Sequence, residues 1–264
     1  MEELFGSGDL PGLHRQAAAD VAAQPREASA RAFFVQVLCM EAQWERAATQ
    51  VDALLKLNPS AAVFCSTLMQ LIDAERERDA VFTGRNEVPW LGEPAPYAAD
   101  FAGGIRAYAC GDVHVGARAV ARVMEVLPVI PAVVTDGTQC AWLLDGDARL
   151  CGVLEFIRGG RYCLVEQTKV KTLEVAAPAH PVDVLWPHVR MQMRNGDTLV
   201  GRMPGRYVCF PGEEDSALLM ARETAWQDGG EGLYLGRGQR CWNTAEGLRP
   251  MLREARITFG DMAS

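Results

Sequence analysis

The chain has almost no lysine: Lys56, Lys169 and Lys171 are the only three in 264 residues. A phosphate-binding loop closing on Gly-Lys-Ser/Thr is absent, and so are the Gly-x-Ser-x-Gly elbow of a hydrolase and any Cys-x-x-Cys pair. Those gaps exclude the usual nucleotide, acyl-transfer, zinc-ribbon and thioredoxin signatures. Only four histidines occur, His14, His114, His180 and His188, with no His-Glu-x-x-His or His-x-His among them. A histidine-built metal site would therefore need convergence from distant parts of the chain. No stretch approaches the run of about 18 apolar residues that crosses a bilayer. The opening Met1-Glu2-Glu3-Leu4-Phe5 places acids where a secretory signal needs cations. A cytoplasmic protein is expected.

What is present is globular in composition, 49% hydrophobic and 23% charged. Thirty-four acidic against 26 basic side chains leave a net charge of −8. Up to residue 130 there are 11 basic and 17 acidic residues, and after it 15 and 17. The first half thus carries most of the excess, which speaks against binding nucleic acid or an anionic membrane. Eight cysteines lie scattered, Cys140 and Cys151 being the closest pair at 11 positions, and are expected to be reduced and buried.

From Asp9 to about Leu127 apolar residues recur every three to four positions, which predicts helix after helix. Leu10, Leu13, Ala17, Val21 and Pro25 return 34 positions later as Trp44, Ala47, Val51, Leu55 and Pro59. A 34-residue period with a proline after a helix is the spacing of tetratricopeptide hairpins. Gly8-Asp9-Leu10 returns once more as Gly111-Asp112-Val113. Between these copies Thr83–Pro96 breaks the pattern with two glycines and three prolines. A helical bundle with chance spacing is the plainer alternative. Phe33, Phe34, Trp44 and Phe64 fall at core spacing, whereas the break, with Trp90 and the preceding Phe82, either joins the two halves or faces a partner.

After Pro128-Val129-Ile130-Pro131 the period shortens. Gln139–Leu144 is a strand candidate. Leu154–Arg158 and Arg161–Val165 flank Gly159-Gly160, a hairpin signal because primed turns need positive φ. A second hairpin runs over Val189–Arg194, Asn195-Gly196-Asp197 and Thr198–Met203, with Val189, Met191 and Met193 on its inner face. Glu213–Trp226 reads as a helix. Strands are also expected near Arg240–Asn243 and at the end of Leu248–Phe259. The fold class is therefore α+β: an all-helical, tetratricopeptide-like domain over residues 1–130, then an antiparallel β-rich domain over 131–264, as a curled sheet or open barrel of six or seven strands with a helix.

Asp145-Gly146-Asp147 begins like a calcium loop, but Phe156 stands where the bidentate glutamate belongs, so a turn is the better reading. Gly236-Arg237-Gly238 is a fragment of a dinucleotide fingerprint with no βαβ setting. No catalytic constellation, cofactor or metal site emerges.

Several stretches in fixed order do match a known family. They are Gly8-Asp9-Leu10, Ala42-Gln43-Trp44-Glu45-Arg46-Ala47, Ala80-Val81-Phe82-Thr83-Gly84-Arg85 and Leu91-Gly92-Glu93-Pro94. Later come Asp145–Leu150, Leu154–Tyr162, Asp183-Val184-Leu185-Trp186, Pro204-Gly205-Arg206-Tyr207 and Gly238-Gln239-Arg240. The chain resembles the ImpE/SciE-type (TagJ) accessory proteins of bacterial type VI secretion systems. It departs from them in a Gly- and Glu-rich insertion at Asp228–Gly232 and in the middle break. The resemblance implies a non-enzymatic cytoplasmic factor that binds the N-terminal helix of the small contractile-sheath subunit and influences sheath assembly or recycling.

Helix-in-groove recognition wants buried aromatic and arginine anchors. The candidates are Phe82 and Trp90 in and beside the break, and Arg161, Tyr162, Trp186, Arg206 and Tyr207 in the β-rich half. The competing reading makes Trp186 core and lets Arg161 and Arg206 brace turns beside their tyrosines. Two other functions stay open, a tetratricopeptide-like scaffold or chaperone for another secretion component and an enzyme with its site among the strands. Oligomeric state is not encoded in any local signal.

Overall fold

A computed structural model describes residues 6–209 and 212–261. Six helices of twelve residues or more fill the first half of the described chain: α1 (Leu10–Ala23), α2 (Ala28–Met40), α3 (Trp44–Leu57), α4 (Ala62–Phe82), α5 (Ala98–Ala109) and α6 (Val113–Val126). They pack as consecutive hairpins. The repeat is visible at the helix starts. Asp9 caps α1 by accepting from the Gly12 amide (2.8 Å), and Asp112 caps α6 by accepting from Val115 (3.1 Å). Each follows a glycine in the left-handed region, Gly8 at φ 79° and Gly111 at 77°. Ala42 holds the equivalent place before α3 at φ 54°. Leu10, Leu13 and Ala17 are buried, as are Trp44, Ala47 and Val51. The expected Leu55 instead points outward and Leu54 goes inside, because the buried stripe of α3 runs through Val51 and Leu54. Phe64 is likewise exposed at the start of α4, contrary to its core spacing.

The second half is antiparallel throughout. An eight-stranded open sheet has the order β2-β1-β13-β6-β7-β8-β4-β5. Its members are β1 (Ala132–Val133), β2 (Gln139–Cys140), β4 (Val153–Arg158), β5 (Arg161–Glu166), β6 (Val170–Val175), β7 (His188–Met193), β8 (Thr198–Arg202) and β13 (Arg256–Phe259). A three-stranded sheet joins β3 (Leu143–Asp145), β11 (Cys241–Thr244) and β12 (Gly247–Pro250), and β9 (Thr224–Gly230) pairs with β10 (Leu233–Gly238). Thirteen strands in the described residues exceed the six or seven expected, since two- to four-residue strands leave no readable alternation. Both hairpins form as read. Gly159 and Gly160 have φ of 57° and 77°, and Gly196 has 95°. Gln139–Leu144 splits into β2 and β3 around Ala141-Trp142.

The helix expected over Glu213–Trp226 is mostly strand. Asp215 does cap a helix, but only one turn forms, α7 (Ser216–Leu219). Ala221 at φ 53° ends the turn, and the Arg222 amide closes back onto the Ala217 carbonyl at 2.8 Å. Trp226 then packs on Tyr207, ring centres 5.8 Å apart, from within β9. The Asp228–Gly232 insertion is the end of β9 and its turn into β10, with Gly230, Glu231 and Gly232 all at positive φ.

Strand β4 explains how the halves meet. All but its last residue are buried, so it has two inner faces. Leu154 and Phe156 join a core with Leu173, Met191, Trp242 and Ile257 between the sheets. Val153 and Ile157 join a second core that continues through Tyr162, Leu164 and Trp186 into Leu13, Leu38, Leu54 and Ile72 of the helices. The break contributes too: the Leu164 amide donates to the Pro89 carbonyl (2.8 Å) and Leu91 donates to the Leu164 carbonyl (2.9 Å). That segment thereby covers the open edge of β5.

Candidate functional site

Where the helices end, the chain opens a groove. Pro128 cannot continue α6, and Leu127 turns to an extended ψ of 125°. Leu127 folds under toward Gly152, where an added Cβ would lie 2.3 Å from its Cδ2 and φ is +73°. Gly152 is thus required for the groove floor. Above it lies a hollow of about 270 Å³ lined by Met124, Leu127, Val129, Ile130, Trp142, Leu143, Leu144, Gln167 and Asn243, among others. A second hollow of about 870 Å³ shares Pro128 and Thr168 with the first. Its walls are Leu91, Glu93 and Tyr97 from the break, Val126, Lys169 and the β7–β8 turn with Met193, Arg194 and Leu199.

Val126 and Val129 are each about 60% exposed (60% and 59%) and Met124 is 46% exposed, so an apolar lip faces solvent along this groove. The polar groups around it are mostly held. Tyr97 donates from its hydroxyl to the Gly152 carbonyl (3.0 Å), and burial, helped by the Glu166 charge, holds that phenol above its ordinary range. Lys169 pairs with Glu166 (3.2 Å) and donates to the Glu93 carbonyl (3.0 Å). Arg194 donates to the Thr168 carbonyl (2.9 Å) and pairs with Asp261 (3.1 Å), fixing the β7–β8 turn against the end of β13. A fixed, mainly apolar channel with a charged rim suits the side chains of another polypeptide.

The seven residues picked from the sequence lie elsewhere. Trp186 is buried, with its indole N–H donating to Glu75 (2.8 Å) and its ring 6.2 Å from Trp44. Arg206 is buried over the Trp44 ring and donates to the carbonyls of Cys39 (3.1 Å), Met40 (2.5 Å) and Leu219. Tyr207 both donates to the Cys241 carbonyl and accepts from its amide. The Tyr162 hydroxyl donates to Glu155 (2.8 Å). Phe82 is buried beneath the guanidinium groups of Arg78 and Arg149, 5.9 and 5.2 Å from its ring centre. Trp90 is half-buried, edge-on to Phe101 and Tyr97. Of the seven only Arg161 is exposed, paired with Glu77 at 2.9 Å. Arg206 and Trp186 meet around Trp44; the rest do not form one surface.

Those interior residues belong to a charged joint between α4 and the sheet. Arg78 donates to both oxygens of Glu155 (2.6 and 3.1 Å) and to Glu75 (3.2 Å). Arg240 donates to the other side of Glu155 (2.7 Å) and to Asp145 (2.6 Å). Burial would lift the Glu155 carboxyl, but Arg78 and Arg240 outweigh it and hold the group below its ordinary value. For Asp145 burial prevails over Arg240 and raises the carboxyl to about 6. The Asp145-Gly146-Asp147 segment is thus an internal ion-pair corner: Asp147 pairs with Arg149 and accepts from the Gly236 amide (2.9 Å). The glycines of Gly236-Arg237-Gly238 serve close packing, since a Cβ at Gly236 would lie 2.2 Å from the Tyr207 ring.

The groove residues escaped the sequence reading because arginine beside an aromatic residue marks a buried brace as readily as a docking anchor. The available signal was Val126 and Val129 on either side of Pro128, apolar residues with no place in a periodic face.

Comparison with known proteins adds a family context. The family model described as ImpE protein matches residues 137–258. The type VI secretion system accessory component TagJ of Pseudomonas aeruginosa is 32% identical over 246 residues, covering 93% of this chain and 86% of that protein. A crystal structure of a Vibrio parahaemolyticus protein superposes with a TM-score of 0.89 at 24% identity, over 98% of this chain and 96% of that one. That last likeness is one of fold.

Proposed function

This chain belongs to the ImpE family, and on that premise we propose that it is a cytoplasmic, non-enzymatic accessory component of a type VI secretion system. Its partner in this reading is the N-terminal helix of the small contractile-sheath subunit, held in the groove at the end of α6. The helical domain (1–130) supplies one wall and the β-rich domain (131–264) the other. The observation that carries the reading is the solvent-facing lip of Met124, Val126 and Val129 beside an enclosed apolar hollow. An amphipathic helix would lay its i, i+3, i+4 and i+7 side chains along such a lip.

Holding that helix changes what else it can do. A chain present at about 100 times its dissociation constant favours the held state by about 2.7 kcal/mol, enough to delay a competing assembly or unfolding step. Sheath assembly or recycling is modulated by occupancy in this account.

Co-purification tests it: the tagged chain should retain the sheath's small subunit and lose it when the subunit's first helix is deleted. Retention without that helix would refute the helix as the docking element. A second reading, a scaffold for another secretion component, draws on the exposed Leu55, Leu57, Val63 and Phe64 where α3 gives way to α4. Recovery of a different component, insensitive to that deletion, would favour it.

A further inference from the structure

The smaller hollow has an unmet hydrogen-bond acceptor in its wall. Gln167 is 2% exposed and donates from Nε2 to the Leu143 carbonyl at 2.7 Å. Its Oε1 is shut away from solvent with no hydrogen-bond partner. A buried amide oxygen left unpaired is unfavourable, so a donor that reaches it is bound with preference. The terminal torsion of a glutamine carboxamide is soft, so a small turn offers this oxygen to an occupant. The surrounding wall is apolar, from Leu127, Ile130 and Leu143, and includes the half-buried ring of Trp142. Asn243 adds a second carboxamide.

We infer that this hollow is a pocket for a flat aromatic ring carrying one hydrogen-bond donor, an indole N–H or a phenol O–H. The ring packs against Trp142 and the aliphatic wall, and its donor meets Gln167 Oε1. This deepens the proposed function and rests on the groove being the docking site: the ring is then a tryptophan or tyrosine of the docked helix, seated as its anchor. An apolar floor alone would take leucine or phenylalanine equally well. The unmet acceptor is what selects, because a site built around a hydrogen bond discriminates against an isostere that cannot make it.

Indole and 1-methylindole, which lacks the N–H, separate these possibilities on the unaltered protein. Titrated by ligand-observed NMR, indole should bind about tenfold tighter than 1-methylindole. Gln167→Met, checked for folding by its melting curve, should bring the two ligands to near-equal affinity, and Asn243→Ala should weaken indole less. If Gln167→Met does not fold, the comparison on the unaltered protein decides alone. Equal binding of the two ligands, or none, overturns the inference. Displacement of bound indole by a peptide of the sheath subunit's first helix supports both readings. Indole preferred but not displaced by saturating peptide leaves the aromatic pocket standing and removes the docking assignment. A peptide that binds beside an unselective hollow does the reverse.

Discussion

Arg78 and Glu155 lie 77 positions apart and meet as a doubly hydrogen-bonded pair in the interior, at 2.6 and 3.1 Å. Arg78 comes from α4 and Glu155 from β4, so this pair ties the helices to the strand with two buried faces. Removing one partner would strand the other charge away from water. Arg78→Ala should cost about 3–5 kcal/mol, the penalty of leaving a buried charge unpaired. Helical and β signals in thermal circular dichroism should fall together, because one core runs through both halves.

Asp79 accepts from the Trp44 indole at 2.8 Å, and burial, reinforced by the Glu75 charge, raises its carboxyl to about 6. Its unfolded value lies near 4, so between about pH 4 and 6 the folded chain binds the extra proton. The stability owed to that proton is fully present below the unfolded value and disappears as pH rises through 6. Asp79→Asn removes the charge and keeps an acceptor for Trp44. It should raise stability by about 1–3 kcal/mol at pH 7.5 and by almost nothing at pH 4. Urea denaturation at the two pH values checks the sign.

Ala42 sits at φ 54° where the other two copies of the motif have glycine. The left-handed conformation costs a residue with a Cβ about 1–2 kcal/mol, part of which glycine returns as unfolded-state entropy. Ala42→Gly should therefore stabilise the chain by up to about 1 kcal/mol, a rise of about 2–4 °C in melting temperature.

Two glycines should respond oppositely to alanine. At Gly236 the new Cβ meets the fully buried Tyr207 ring at 2.2 Å, and overpacking should cost about 1–3 kcal/mol. At Gly103, within α5 and with nothing within 4 Å, alanine should gain about 0.5–1 kcal/mol through helix propensity. Parallel melting curves of the two variants test both directions.

Local periodicity carried most of the architecture. The two glycine-turn hairpins, the helix starts at Leu10, Trp44 and Val113 and the inner face of β7 follow from short-range rules. What escaped them was set by distant partners. Trp226 sits in a strand because Tyr207 and β10 await it, although its neighbourhood suits a helix. Tyr162, Trp186, Arg206 and Tyr207 look like docking anchors until Glu155, Glu75, the α2 carbonyls and Cys241 are placed beside them. The groove needed Gly152 and Leu127 to meet, and no window of sequence contains both.

The central claim is that the chain works by gripping a helix along Val126 and Val129. A peptide of the small sheath subunit's first helix, titrated calorimetrically into three proteins, tests it most directly. These are the unaltered chain, a Val126→Asp/Val129→Asp variant, and a Leu57→Asp variant at the far exposed patch. Saturable binding to the first and third, weakened about tenfold or more in the second by charges with no partner, is the predicted result. Undiminished binding to the groove variant, or none to the unaltered chain, would contradict it.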